Sequence, residues 1–147
     1  MKKEKMNNKG FSLVELIIVV AIMAVLVVAL APQYLKYVEK SRNSTDVNNA
    51  TAVVTAIQVY AADPDATKPF KNTETFEVKV EATGTTLTDT ADKSVEEALK
   101  AAALSDYANT KCKSKTTWTS YTISGTVQAD GSIKFTYADA NFAAAMK

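Results

Sequence analysis

The chain has 147 residues, room for one small domain plus an anchor, a formal net charge of +1 and one cysteine, Cys112. One cysteine excludes an intramolecular disulfide, and the absence of histidine removes the commonest general base and the commonest transition-metal ligand. Gly10, Gly84, Gly125 and Gly131 lie far apart, so there is no glycine-rich phosphate loop. No catalytic residue, cofactor or metal ligand is assigned, and the chain is not read as an enzyme.

Residues 1–10 form a basic leader, with Lys2, Lys3, Lys5 and Lys9 against Glu4, ending in Gly10. Removing it turns +1 into −2, and a mildly acidic product argues against a nucleic-acid partner. Lys111, Lys113 and Lys115 leave room for a local basic patch.

From Leu16 to Leu35 no residue is charged. About twenty apolar residues cross a bilayer as a helix, and in lipid the backbone must satisfy itself, so β-branched residues do not prevent it. Lysines before the run and few cations after it place the N-terminus in the cytoplasm. Lys36, Lys40 and Arg42 weaken that asymmetry and Glu39 partly balances them. Glu15 sits near the cytosolic end of the run. An ionisable side chain costs about 2.5–3.5 kcal/mol at the centre of such a helix and less near an end. Pro32 removes one helical hydrogen bond and clashes with the carbonyl of Val28, which predicts a kink or weak point near the outer face.

Three readings of this segment compete. A secretory signal peptide would be cut after Ala29-Leu30-Ala31, but Pro32 follows at once and the run is long. A plain single-pass anchor explains the length and leaves Gly10-Phe11 and Glu15 unexplained. A signal anchor cut on the cytosolic side, with the apolar helix retained, accounts for all of them. Gly10 suits such a cut, since a peptidase at the membrane edge needs extended backbone with nothing bulky before the bond.

Beyond Pro32 the pattern becomes amphipathic. Val47, Ala50, Val53, Val54, Ile57, Tyr60 and Ala61 recur at three and four, opposite Asn48, Asn49, Thr51, Thr55 and Gln58. The stripe asks for a partner, most simply the chain's own sheet. Asp63-Pro64 stops the helix, and residues 63–75 are rich in turn signals. Phe76, Val78 and Val80 alternate with Glu77, Lys79 and Glu81 as a strand with one wet face. Ser94-Val95-Glu96-Glu97 fits a capping box before a short helix. Thr116 to Ile123 has strand composition. Thr126–Ala129 and Ser132–Tyr137 flank Asp130-Gly131 as a hairpin. Ala138 to Lys147 is a short helix or a frayed tail.

The fold class expected is α+β, a long N-terminal helix packed on a small antiparallel sheet. Its segments are 1–10 (leader), 11–35 (membrane-spanning), 36–62 (amphipathic continuation) and 63–147 (head). The pairs Glu96-Glu97 and Asp63/Asp65 read as solvated surface, Trp118 and Tyr121 as sheet packing rather than a glycan or DNA contact, and Cys112 as a half-buried structural residue.

The run Gly10-Phe11-Ser12-Leu13-Val14-Glu15-Leu16 at the head of the apolar segment resembles the type IV pilin family. The likeness extends from about Lys9 to about Arg42. The missing cysteine pair is nearest in style to pilins of Gram-positive bacteria such as clostridia. The resemblance implies that a membrane aspartic peptidase cuts between Gly10 and Phe11 and then methylates the new Phe11 amine. It implies that Glu15 of one subunit is set against the Phe11 amine of a neighbour; four apart, the two would share a helix face. It implies that the helix unwinds near Pro32 on assembly, Ala24 standing where relatives often carry glycine. The implied partners are further copies of the chain, minor pilins, the peptidase/methyltransferase, an assembly ATPase, a membrane platform protein and the membrane itself. The implied function is a structural subunit, held in the cytoplasmic membrane and then built into a surface filament for adhesion, twitching motility or biofilm formation. A pseudopilin of a type II secretion or competence DNA-uptake system, a minor tip pilin and a secreted soluble domain are the alternatives.

Overall fold

The computed structural model describes residues 10–89 and 93–147; the leader residues 1–9 lie outside the described residues. Two compact units divide at Val38/Glu39. Helix α1 (Leu13–Ala61) begins in the first unit and ends in the second. The second unit continues with β1 (Thr75–Val80), β2 (Thr85–Asp89), α2 (Ser94–Ala101), a 3-10 turn (Tyr107–Asn109), β3 (Tyr121–Val127), β4 (Ile133–Tyr137) and α3 (Ala140–Ala145). This is the expected α+β class.

The sheet is antiparallel throughout, in the order β2-β1-β3-β4. Along β1 the alternation is strict: Phe76, Val78 and Val80 are buried and Glu77 and Lys79 exposed, as a half-wet strand requires. Register pairs Phe76 with Gly125 of β3, and Gly125 with Phe135 of β4. A Cβ at Gly125 would collide with the Phe76 ring. The missing side chain lets that ring lie across β3 and meet Phe135 edge-on at 6.1 Å.

Two strand expectations need correction. Thr116–Ile123 and Thr126–Ala129 are not separate strands; β3 runs from Tyr121 through Gly125 to Val127, and Thr116–Trp118 precede it as loop. Gly125 reads as a break in the sequence, yet cross-strand packing keeps it in the ladder. A further strand, β2, is one the sequence reading did not assign; it carries three threonines, and only one of its five residues is buried. An edge strand of that kind gives little periodic signal. The hairpin at Asp130-Gly131 forms. Gly131 N–H closes the turn on the Gln128 carbonyl at 3.0 Å, and Gly131 takes φ 82°, the left-handed residue of a three-residue hairpin loop.

The core of this unit sets Ala50, Ile57 and Tyr60 of α1 with Val78, Val80, Tyr121 and Ile123 of the sheet, and Val95 and Leu99 of α2. The C-terminal segment is the short helix α3. Asp139 caps it, accepting from the N–H groups of Asn141 and Phe142 at 2.9 Å. Its Phe142 is fully buried, stacked on Tyr121 at 4.2 Å and edge-on to Trp118 and Tyr137. The capping box expected at Ser94 does not form. Lys93 precedes α2 in a left-handed conformation without a side-chain cap, and Asp89 of β2 accepts from Val95 N–H at 3.2 Å instead.

Two carboxylates on the head half of α1 clasp the strap that leads into β3. Asp46, with no solvent exposure, accepts from the N–H groups of Lys113 (2.8 Å) and Ser114 (2.9 Å), from Trp118 Nε1 (2.9 Å) and from Cys112 Sγ (3.4 Å). Two turns earlier, Glu39 Oε1 accepts from Ser114 Oγ (2.6 Å) and from the successive N–H groups of Lys115, Thr116 and Thr117 at 2.8, 2.9 and 3.2 Å. Asn43, between them, donates to Thr117 Oγ1 at 2.8 Å. The strap alternates, with Cys112 and Ser114 inward and Lys111, Lys113 and Lys115 outward. Buried carboxylates are tolerated where donors surround them.

Candidate processing and assembly segment

At Gly10 a Cβ would meet no atom within 4 Å. Among the described residues, therefore, no packing contact asks for glycine there. Gly10 and Phe11 precede the helix, which starts at Leu13. Ser12 is its cap: Ser12 Oγ accepts from Val14 N–H at 3.3 Å, and Glu15 Oε2 accepts from Ser12 N–H at 2.8 Å. This reciprocal pair is a capping box, Ser12-Leu13-Val14-Glu15. The Ser-x-x-Glu spacing is the local sequence signal for this cap.

The same geometry changes the relation of Phe11 to Glu15. They do not share a helix face here, since Phe11 lies before the first helical turn. Glu15 is exposed, and its Oε1 has no hydrogen-bond partner among the described residues. One oxygen holds the cap and the other is open to a cation.

Every residue from Phe11 to Leu35 is exposed in the single chain, including Leu13, Ile17, Val28 and Leu30. A continuous uncovered apolar face of this size needs lipid or another protein surface. By length and composition α1 is sufficient to cross a membrane. The helix runs past Pro32 without interruption. The single chain thus carries a lost hydrogen bond at that point, not an unwound stretch.

The remaining candidates fall in the second unit. Trp118 and Tyr121 are 4% and 2% exposed, which removes them from any surface contact. Trp118 packs under the strap rather than within the sheet. Cys112 is more buried than expected, at 4% exposure. Burial first, then the neighbouring Asp46 carboxylate, pushes its thiol up to about 12, so it is a packed donor and not a nucleophile. Glu96 and Glu97 pair with Lys100 at 3.0 and 3.3 Å, and Asp63 caps its own turn through Asp65 N–H. Among the described residues no group of histidine, cysteine, aspartate and glutamate is arranged to hold a metal ion. Sequence reading missed Glu39, Asp46 and Phe142. Only an acidic residue amid the amphipathic pattern, at position 46, hinted at the clasp.

The family model described as the prokaryotic N-terminal methylation motif matches residues 5–31. The chain is similar to the type IV major pilin protein PilA of Myxococcus xanthus (strain DK1622), at 35% identity over 66 residues. That stretch is 45% of this chain and 30% of the relative, so the match spans under a third of the relative's length. No solved structure matches.

Proposed function

We propose that this chain, which carries the N-terminal methylation motif and is similar to a major pilin over part of its length, belongs to the type IV pilin family and is a structural subunit of a type IV pilus. The observation that carries this reading is the junction at Gly10. A glycine that no described residue packs against leads into a capped helix whose apolar side chains are uncovered as far as Leu35.

Hydrolysis of the Gly10–Phe11 bond by a membrane peptidase releases the leader and leaves a free Phe11 amine, which is then methylated and stays cationic. The retained helix rests in the cytoplasmic membrane until assembly. In the filament its lipid contacts are exchanged for sibling helices, so apolar burial is preserved. The open oxygen of Glu15 receives the amine of a neighbouring Phe11. That pairing offsets the desolvation of both charges and fixes axial register more than it adds net stability. A heterologous contact of this kind repeats without closing, which makes a filament from one subunit.

The test is the intact mass of the chain in the surface fraction sheared from cells that express it. A mass beginning at Phe11 with one added methyl, in abundance, is expected. A mass beginning at Pro32 in the medium overturns the reading. A Phe11 start confined to membranes moves it to a pseudopilin or minor subunit.

A further inference from the structure

Two apolar hollows adjoin beside α1 in the second unit, where it faces the sheet, α2 and the residues after α2. One, of about 200 Å³, is lined by Val53, Leu104, Tyr107 and Asp106; the other, of about 550 Å³, by Ala56, Val59, Ala102 and Asp63. Ala52 and Leu104 line both, so they form one groove between α1 and the residues that follow α2. Val59 in this groove is 67% exposed. Its two acids, Asp63 and Asp106, have no cationic partner among the described residues.

We propose that this groove receives the Tyr34–Tyr37 segment of a second copy of the chain. The inference rests on the filament reading above and adds the contact that reading leaves open. Tyr34, Leu35 and Tyr37 are each 64–67% exposed, an aromatic and apolar set at the outer end of the membrane-spanning run. While the helix is in the membrane, such residues sit at the lipid–water boundary. Once it leaves, that area needs another cover. Lys36 and Lys40 lie beside the set and have no acidic partner among the described residues. An apolar segment flanked by lysines without an acidic partner therefore fits an apolar groove flanked by aspartates that hold no cation among the described residues, which sets register as well as attraction.

The experiment uses the full chain in cells that assemble it. Tyr37→Cys and Ala102→Cys are introduced singly and together, sheared material is oxidised mildly, and non-reducing gels are read. Buried Cys112 does not take part. The double variant is expected to give a ladder of covalent multimers, whereas either single variant stops at dimer. In parallel, Asp106→Lys is expected to lower sheared filament yield about tenfold, and adding Lys36→Glu to restore it to within about twofold. Trp118 fluorescence confirms that the head remains folded.

Abundant filaments without a ladder, or with full yield from Asp106→Lys, overturn the groove contact and leave the pilin reading intact. A wild-type chain that is uncut and absent from the surface overturns both. Cross-links only to an unlike protein assign the groove to that protein and overturn the second copy as its occupant.

Discussion

The indole N–H of Trp118 donates to Asp46 Oδ2 at 2.9 Å, across 72 residues of sequence. That bond ties the one tryptophan of the chain to the head half of α1, and the same oxygen accepts from Ser114 N–H and Cys112 Sγ. With no disulfide available, hydrogen bonds to carboxylates take the part of a covalent staple for the strap.

Asp46→Ala is expected to destabilise the head by roughly 3 kcal/mol or more, because it leaves the buried Ser114 N–H and Trp118 indole N–H, and the part-buried Lys113 N–H, without acceptors. Denaturant titration of the full chain in detergent micelles, read by Trp118 fluorescence, measures it. An unchanged midpoint would show that the clasp contributes nothing.

Glu39 gives the head an acid-sensitive element. Burial opposes its ionisation, yet the Ser114 hydroxyl and the N–H groups of Thr116, Lys115 and Thr117 outweigh that and hold the carboxyl well below the usual carboxylate range. The folded state favours the charged form, so the stabilisation is complete above the ordinary value of 4.5 and is lost progressively as pH falls below it. Glu39→Gln is expected to cost about 2 kcal/mol at pH 7. The gap between variant and wild type should narrow as the titrations move down from pH 4.5.

Cys112 should resist alkylation in the folded chain. With its thiol raised from 9.0 to about 12, the thiolate fraction near neutrality falls about a thousandfold, in addition to the steric block. Iodoacetamide labelling followed by mass spectrometry is expected to be negligible until denaturant is added. Asp46→Ala should accelerate it.

Gly125→Ala tests the path of the Phe76 ring. The new methyl meets that ring directly, and the overpacking is expected to cost about 1–3 kcal/mol. Pairing it with Phe76→Leu should recover part of the loss, whereas strict additivity of the two changes would argue against the contact.

At the other end of α1, Glu15→Ala is expected to abolish filaments while cleavage at Gly10–Phe11 continues. Ser12→Ala removes only the helix cap, worth about 1 kcal/mol, and should leave filaments at reduced yield. Immunoblots of sheared and membrane fractions, with the intact mass of each, distinguish the two outcomes. Normal filaments from Glu15→Ala would remove its assembly role.

The sequence by itself determined the apolar helix and the α+β class. Each is written in local signals: an uncharged run from Leu16 to Leu35, and period-two alternation from Phe76 to Val80. It also placed the turn at Asp130-Gly131, because a left-handed residue there needs glycine. Only the tertiary structure decided that β3 continues through Gly125, since the residue that fills its missing side chain, Phe76, comes from another strand. The same holds for Glu39 and Asp46. A carboxylate on a helix reads as solvated surface until the N–H groups that surround it arrive from a strap about seventy residues further on, and no local pattern encodes that meeting.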